Sequence, residues 1–367
     1  MYYFEKCNLK MTGLYITYNA GAMYENDNQL GTMHLMEHMI CKRFDDLRDE
    51  LTKRDIVYNA YTDEEQVVVF FTGLSSQLTS DLKIELVKRL TDGIFATEDE
   101  FIKERDVVIQ EYYNYFNDLQ FGNLANYLRN KFNNYSIIGK ADDINNFSYE
   151  DALVIFEKFF KKPSRIIESG KNKTDFSFVE YNDIPLTTKH IKYGNYNNEA
   201  EIVPESETNS VVIVSSKKPV TKRDYPIFVL LNLALCEGLN SPLYQELREK
   251  RGLIYSIGPD FLPCVNDSIF SYTALTTKEN AEEVARIIKE VITNLDDYLT
   301  EARFEDIINN NLIKLETDSV FRFSNPQTLT KGFPSKFKTK KQYQNVTLKD
   351  AIAMGKKYFD KLEIVIS

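Results

Sequence analysis

The chain has 367 residues, a formal net charge of -10, four cysteines, three histidines and no tryptophan. This length is too great for one ordinary hydrophobic core and predicts two domains, and the acidic balance argues against nucleic-acid binding, because negative charge repels phosphate. The sequence shows no apolar segment long enough to span a bilayer and no signal peptide, which predicts a cytoplasmic protein without a membrane span.

Runs of β-branched and aromatic residues are interspersed with helical patterns along the chain. Strands are predicted at residues 15–18, 67–71, 211–214 and 269–273. Helices are predicted at residues 31–41, 80–92, 97–117 and 279–296. The strands come in neighbouring pairs rather than in strict alternation with helices. This order predicts an α+β fold in which a mostly antiparallel sheet packs against helices.

The first predicted helix contains two of the three histidines. On a helix His34 and His38 lie one turn apart on one face, where two imidazoles can bind a single zinc ion. Glu37 lies beside them and is close enough to reach a metal-bound water without being a ligand. The order H-x-x-E-H is the reverse of H-E-x-x-H and is the inverzincin signature. The pattern therefore predicts a zinc site on this helix.

A catalytic zinc site also needs a third protein ligand and an open position for water. The predicted helix at residues 97–117 offers Glu104 and Glu111, which lie two turns apart on one face. Thr97 and Glu100 form a capping box at its start. Two acidic residues on a helix more often form a solvated face, so helical spacing alone leaves the third ligand open.

Two segments of the first half recur in the second half in the same order. Residues 146–160 and 345–359 share Asn, Ser/Thr, Asp-Ala, Lys and a final aromatic pair. Residues 97–101 and 300–304 each begin a helix with Thr-Glu and end on Phe. Because both echoes have nearly the same offset, chance is the weaker explanation. The sequence predicts two homologous domains related by internal duplication.

The predicted boundary between the domains is polar and rich in turn-forming residues. Residues 184–208 have this composition and are interpreted as a linker region. The domains are therefore expected at residues 1–183 and 209–367.

The two motifs together resemble a known family. H-x-x-E-H followed by Glu-Arg-Asp-Val-Val-Ile-Gln-Glu is similar to the motifs of the pitrilysin-type, or inverzincin, zinc metallopeptidases, especially the small two-domain subunits of mitochondrial and bacterial processing peptidases. The resemblance implies that Glu111 is the third zinc ligand and that Glu104 supports the site without touching the metal. It implies one zinc ion per chain, since the second half contains no H-x-x-E-H.

Two further segments carry the resemblance. Asn59-Ala-Tyr-Thr resembles the family's N-A-x-T turn, which implies that Asn59, Ala60 and Thr62 bind the backbone of the substrate. The segment from Leu243 to Ser256 resembles the signature of the family's second domain. Taken alone, its Arg248 and Tyr255 would be a surface arginine and a core tyrosine. The resemblance implies instead that they reach the substrate and its tetrahedral intermediate.

The resemblance implies a zinc-dependent endopeptidase with a catalytic first domain and a second domain that has no metal site and contacts substrate. Zinc would activate the water, and Glu37 would act as general base. Two-domain members assemble in pairs, so a homodimer or a heterodimer with a related subunit is expected to enclose extended or unfolded peptides in a chamber.

Two alternatives remain at this stage. One is a non-catalytic scaffold or core subunit with the same fold. Such subunits typically carry damaged metal motifs, whereas His34, Glu37, His38 and Glu111 are intact. The other is a chance motif on an unrelated α+β protein, which the internal repeat and the second-domain resemblance disfavour.

Overall fold

A computed structural model of the protein describes residues 1–6, 10–117, 137–186, 209–221, 223–262, 268–317 and 341–366. The described residues up to 186 belong to one compact unit, and those from 209 onward belong to a second. Each unit has one β-sheet and its own hydrophobic core. The predicted α+β fold with two similar units is confirmed.

The sheet of the first unit contains five strands. They are β1 (Tyr2–Lys6), β2 (Met11–Tyr18), β3 (Val57–Thr62), β4 (Val67–Leu74) and β5 (Arg165–Gly170). Their order across the sheet is β1-β5-β2-β4-β3. Strand β1 pairs with β5 in parallel, and all other pairs are antiparallel. Among the described residues β3 pairs with β4 alone, so β3 is an edge strand.

The helices of the first unit cover one face of this sheet. They are α1 (Thr32–Cys41), α2 (Arg48–Lys53), α3 (Ser80–Thr91), α4 (Glu98–Asn117), α5 (Ala141–Asn146) and α6 (Tyr149–Ile155), which continues as a π-turn over Phe156–Phe160. Successive side chains along the central strands point to opposite faces of the sheet. Ile16 and Val69 join the main core, whereas Tyr15 and Val68 form a small cluster with Phe70 and Ile167.

The second unit repeats the strand order of the first. Its strands are β6 (Asn209–Lys218), β7 (Ile254–Leu262), β8 (Ser268–Thr277) and β9 (Glu363–Ile366), and their order is β7-β8-β6-β9. Read from the other edge, β9-β6-β8-β7 matches β5-β2-β4-β3 strand for strand, and every one of these pairs is antiparallel. This equivalence is the structural form of the predicted duplication.

The helices of the second unit enclose its apolar core. They are α7 (Tyr225–Cys236), α8 (Pro242–Tyr244, followed by a π-turn over Gln245–Glu249), α9 (Ala281–Thr293), α10 (Leu295–Tyr298), α11 (Glu301–Thr317) and α12 (Leu348–Tyr358). No helix in the described part of the chain is long and apolar enough to cross a membrane. Residues 187–208 of the predicted linker lie outside the described residues, so the limits of the two domains stay a prediction.

Candidate metal centre

Helix α1 begins at a backbone turn that carboxylates hold in place. Its N-cap, Gly31, has a φ of 92°, in the left-handed region that favours glycine. Glu25 accepts hydrogen bonds from the backbone N–H groups of Gly31 (3.0 Å) and Met33 (2.8 Å). Asp143 accepts one from Leu30 at 3.1 Å. These contacts satisfy N–H groups that a helix start leaves without partners. Burial raises the pKa of Glu25 to about 8, so its role at the helix start rests on hydrogen bonding rather than on charge.

The apolar side of α1 packs into the core and turns the two histidines away from it. The fully buried apolar residues of the helix are Met33, Leu35, Met36, Met39 and Ile40. The rings of His34 and His38 lie edge to face with centroids 4.9 Å apart. The helix thus presents both imidazoles, one turn apart, towards α4.

The third candidate ligand comes from α4. Phe101 and Val108 of this helix are buried in the core, and the Thr97–Glu100 capping box is present at its start. Glu104 and Glu111 then both lie beside α1. Glu111 is the more open of the two, with 45% of its side chain exposed.

Three donor atoms converge between the two helices. Oε2 of Glu111 lies 3.7 Å from Nε2 of His34 and 3.5 Å from Nε2 of His38. Ligands of a tetrahedral zinc ion at about 2.0–2.1 Å are separated from one another by about 3.3–3.4 Å. Among the described residues this is the only group of three or more His, Cys, Asp or Glu side chains that could hold a metal ion. The donor set and its spacing therefore fit zinc.

The environment keeps His34 in the form that binds metals. Burial, with a smaller contribution from the neighbouring His38, lowers the pKa of His34 to about 3. A neutral imidazole has a free lone pair for coordination, whereas an imidazolium has none. His34 is therefore a ready donor at neutral pH.

Glu37 is buried beside the histidines and is held by the edge strand. The hydroxyl of Thr62, on β3, donates a hydrogen bond of 2.7 Å to Oε2 of Glu37. Burial raises the pKa of the Glu37 carboxyl, and the hydrogen bond from Thr62 opposes this shift. A carboxylate with a raised pKa has a greater affinity for a proton, which suits a general base.

Glu104 contacts the far side of one histidine. Its Oε2 lies 3.3 Å from Nδ1 of His38, and its Oε1 lies 2.9 Å from Nζ of Lys42. The Nδ1 of His34 is buried and has no such partner among the described residues. Neither Lys42 nor Glu25 was singled out by the sequence pattern. Lys42 lies one turn after His38, but this spacing alone does not reveal its contact with Glu104 on α4.

The donor atoms line an open cavity of about 450 Å³. Asn59 and Tyr58, on edge strand β3, form part of its wall. The three residues predicted to bind substrate lie within strand β3 and not in the turn that the resemblance implied, and they differ in their surroundings. Asn59 is exposed, Ala60 is buried in the core, and Thr62 is buried against Glu37. Their contact with a peptide stays a prediction.

Arg248 and Tyr255 lie together on the second unit. Nη1 of Arg248 donates a hydrogen bond of 2.7 Å to the backbone carbonyl of Tyr255. The guanidinium also lies over the ring of Tyr244, 5.3 Å from its centroid. Tyr255 is 74% exposed, so the reading as a core tyrosine is wrong. Its phenol is open to a ligand, and its action on substrate stays a prediction.

Comparisons with known proteins bear on both halves of the chain. The family description "Insulinase (Peptidase family M16)" matches residues 8–136, and "Peptidase M16 inactive domain" matches residues 145–311. The second description fits the half that contains no H-x-x-E-H motif.

Relatives and solved structures agree with these matches. The chain is 22% identical to an uncharacterized zinc protease of Rickettsia felis over 83% of this chain and 78% of that protein. It is 30% identical to the human mitochondrial-processing peptidase subunit beta over 43% of this chain and 33% of that protein. A protease from Helicobacter pylori shares the fold with a TM-score of 0.77 and 17% identity, over 99% of this chain and 95% of that one. The chain therefore belongs to peptidase family M16, the pitrilysin-type family.

Proposed function

We propose that the protein is a zinc metalloendopeptidase that holds one zinc ion per chain through His34, His38 and Glu111. The observation that carries this proposal is the triangle of donor atoms, with separations of 3.5 and 3.7 Å to Oε2 of Glu111. When bound, zinc supplies Lewis acidity, which acidifies water and polarises a carbonyl group. The intact set of donors favours an enzyme over a scaffold subunit with the same fold.

Glu37 is the general base of the proposed reaction. Its carboxylate takes a proton from the water that attacks the scissile carbonyl, and it then gives this proton to the leaving amine. Thr62 holds one oxygen of the carboxylate by the hydrogen bond of 2.7 Å, which leaves the other oxygen for the proton. The side chain is thus fixed in one orientation beside the donor triangle.

The proposed substrate is an extended or unfolded peptide. Among the described residues β3 is an edge strand, and Asn59 on it lines the cavity beside the metal ligands. An extended peptide can add to such an edge through backbone hydrogen bonds. Because strand addition recognises the peptide through its backbone, we expect cleavage to depend on an unfolded segment more than on a particular side chain.

The proposed active assembly contains two chains. Arg248 and Tyr255 of the second domain would contact the substrate, and two chains would together enclose it. Subunit beta of the human mitochondrial-processing peptidase is by its name one subunit of a larger enzyme, and it is similar to 43% of this chain. A homodimer or a heterodimer with a related subunit is therefore proposed, and sedimentation analysis of the purified chain tests the first of these.

The decisive experiment separates catalysis from metal binding. Glu37→Gln should lower cleavage of an unfolded peptide by at least about 10²-fold while zinc content stays at the wild-type value, because general acid–base catalysis is lost and no ligand is removed. Glu111→Gln should lower both zinc retention and cleavage. Glu98→Gln, on the exposed start of the same helix, is the matched control. Wild-type turnover by Glu37→Gln, or wild-type zinc affinity in Glu111→Gln, would contradict the assignment.

A further inference from the structure

A chain of polar contacts runs from the end of α1 to one of the candidate zinc ligands. Nζ of Lys42 lies 3.0 Å from Oδ2 of Asp45 and 2.9 Å from Oε1 of Glu104. The other oxygen of Glu104, Oε2, lies 3.3 Å from Nδ1 of His38. Nε2 of the same ring lies 3.5 Å from Glu111. Glu104 and His38 thus each contact their two neighbours in this series through different atoms.

The carboxylate of Glu104 is held from both sides. Lys42, which directly follows α1, lies one helical turn after His38, and the two residues contact the two oxygens of Glu104. Only 13% of the Glu104 side chain is exposed. A carboxylate fixed at both oxygens cannot rotate without breaking one of the contacts. The orientation of Glu104 therefore depends on Lys42 as much as on the histidine.

We infer that Lys42 is a positioning residue of the metal centre, which orients His38 through Glu104. A carboxylate on Nδ1 fixes both the tautomer and the plane of a histidine that binds metal through Nε2. Lys42 holds that carboxylate in place. No other polar contact of this kind was found for the histidine pair in the described part of the chain, since Nδ1 of His34 has no partner there.

A simple charge effect predicts the opposite outcome. If Lys42 acted on the metal only as a nearby positive charge, it would repel zinc, and its removal would tighten zinc binding. If Lys42 acts as a structural surface ion pair, its removal would leave zinc affinity unchanged, since such pairs contribute little. Of the three roles, only positioning predicts that removal of Lys42 weakens zinc binding. The sign of the change therefore decides between the three roles.

The inference rests on the proposed function, and the test uses the full chain. Zinc affinity is measured by competition with a chromophoric chelator for the wild type, Lys42→Met and Lys42→Arg. Loss of a partner that orients a ligand typically costs about 10–100-fold in metal affinity, and Lys42 is one contact further away, so we expect Lys42→Met to weaken binding about 10-fold. Lys42→Arg should recover most of this loss, because its guanidinium can still bridge the two carboxylates.

The control for the substitution is Lys53→Met, an exposed lysine on α2. Cobalt substitution adds a readout of ligand geometry. The visible absorption bands of the cobalt protein should change in Lys42→Met and be the same as wild type in Lys53→Met. Equal or tighter zinc binding by Lys42→Met overturns the inference while the proposed function stands. A wild-type chain that binds no zinc, with Glu111→Gln behaving identically, overturns both.

Discussion

At the level of single residues, Glu37 and Thr62 connect helix α1 to the edge strand β3. The two side chains are buried, and the hydroxyl of Thr62 donates to Glu37 at 2.7 Å. A buried carboxylate oxygen without a hydrogen bond costs about 1–3 kcal/mol, so the threonine both stabilises and orients the base. The strand expected to receive the substrate therefore also positions the residue expected to act on it.

Replacing Thr62 by valine tests this arrangement. Thr62→Val keeps the shape and the β propensity of the residue but removes the hydroxyl, which leaves Glu37 free to turn from its reactive position. We expect kcat for an unfolded peptide to fall about 10-fold, with KM and zinc content close to wild type. Thr72→Val, a substitution of an equally buried threonine on β4, is the control. A wild-type kcat in Thr62→Val would show that the hydroxyl does not hold the base.

How much of the candidate site was predictable depends on how local each contact is. His34, Glu37 and His38 follow from spacing on one helix, because residues three and four apart share a face. Glu111 needed the family resemblance, since an acidic residue on a helix carries no signal of its own. Lys42 escaped notice because its role depends on a contact between α1 and α4, and sequence spacing within one helix does not reveal such a contact.

At the level of secondary-structure elements, a buried ion pair joins helix α3 to the sheet. Lys83 of α3 contacts Glu168 of β5, and neither side chain is appreciably exposed. Glu168 also accepts hydrogen bonds from Tyr2 of β1 and from Thr174. Burial acts to raise the pKa of Glu168, but these contacts more than offset it and hold the pKa below its usual value. The carboxylate is thus charged in the folded protein and fully partnered.

Removing the lysine should destabilise the first unit. Lys83→Met leaves a charged carboxylate buried without its counter-ion, and we expect the free energy of unfolding to fall by about 3–5 kcal/mol in urea titrations at pH 7. Lys88→Met, on the exposed side of the same helix, should change it by less than about 1 kcal/mol. The combination of Lys83→Met with Glu168→Gln should recover part of the loss. A single variant as stable as wild type would mean that the pair contributes nothing.

The same pair gives a prediction about pH. A carboxyl whose pKa is lower in the folded than in the unfolded state stabilises the fold above its unfolded pKa, about 4.3, and this stability is lost as the pH falls. The unfolding free energy of the wild type should therefore decrease from about pH 5 downward. In Lys83→Met this decrease should be smaller, because burial then raises the pKa of Glu168.

The long elements were predicted well and the short ones less so. The helices expected at 31–41 and 97–117 are observed at Thr32–Cys41 and Glu98–Asn117, because apolar periodicity and a capping box define them. Strand β1 was not predicted. It has only five residues and pairs in parallel with β5, more than 150 residues further along the chain, so its signal lies in a partner that local patterns do not contain.

The two units of the molecule share a strand order but differ in chemistry. The order β5-β2-β4-β3 recurs as β9-β6-β8-β7, so the duplication predicted from two short sequence echoes extends to four of the five strands of the first sheet. The first unit has a group of side chains that could hold a metal ion, whereas the described part of the second has none. The second unit has instead an exposed tyrosine beside a hydrogen-bonded arginine. Equivalent strands in the two units thus carry different candidate functional groups.

The proposed role of the second unit can be tested by removing one oxygen atom. Tyr255→Phe keeps the ring and the backbone carbonyl that accepts from Arg248, and the residue is 74% exposed, so stability and zinc content should match wild type. If the phenol stabilises the oxyanion of the tetrahedral intermediate, kcat/KM for an unfolded peptide should fall by about 10²-fold, as expected for the loss of one such donor. Tyr244→Phe, which keeps the ring beneath the same arginine, should retain wild-type kinetics. Equal kcat/KM in the two variants would mean that the Tyr255 phenol supplies no donor to the reaction.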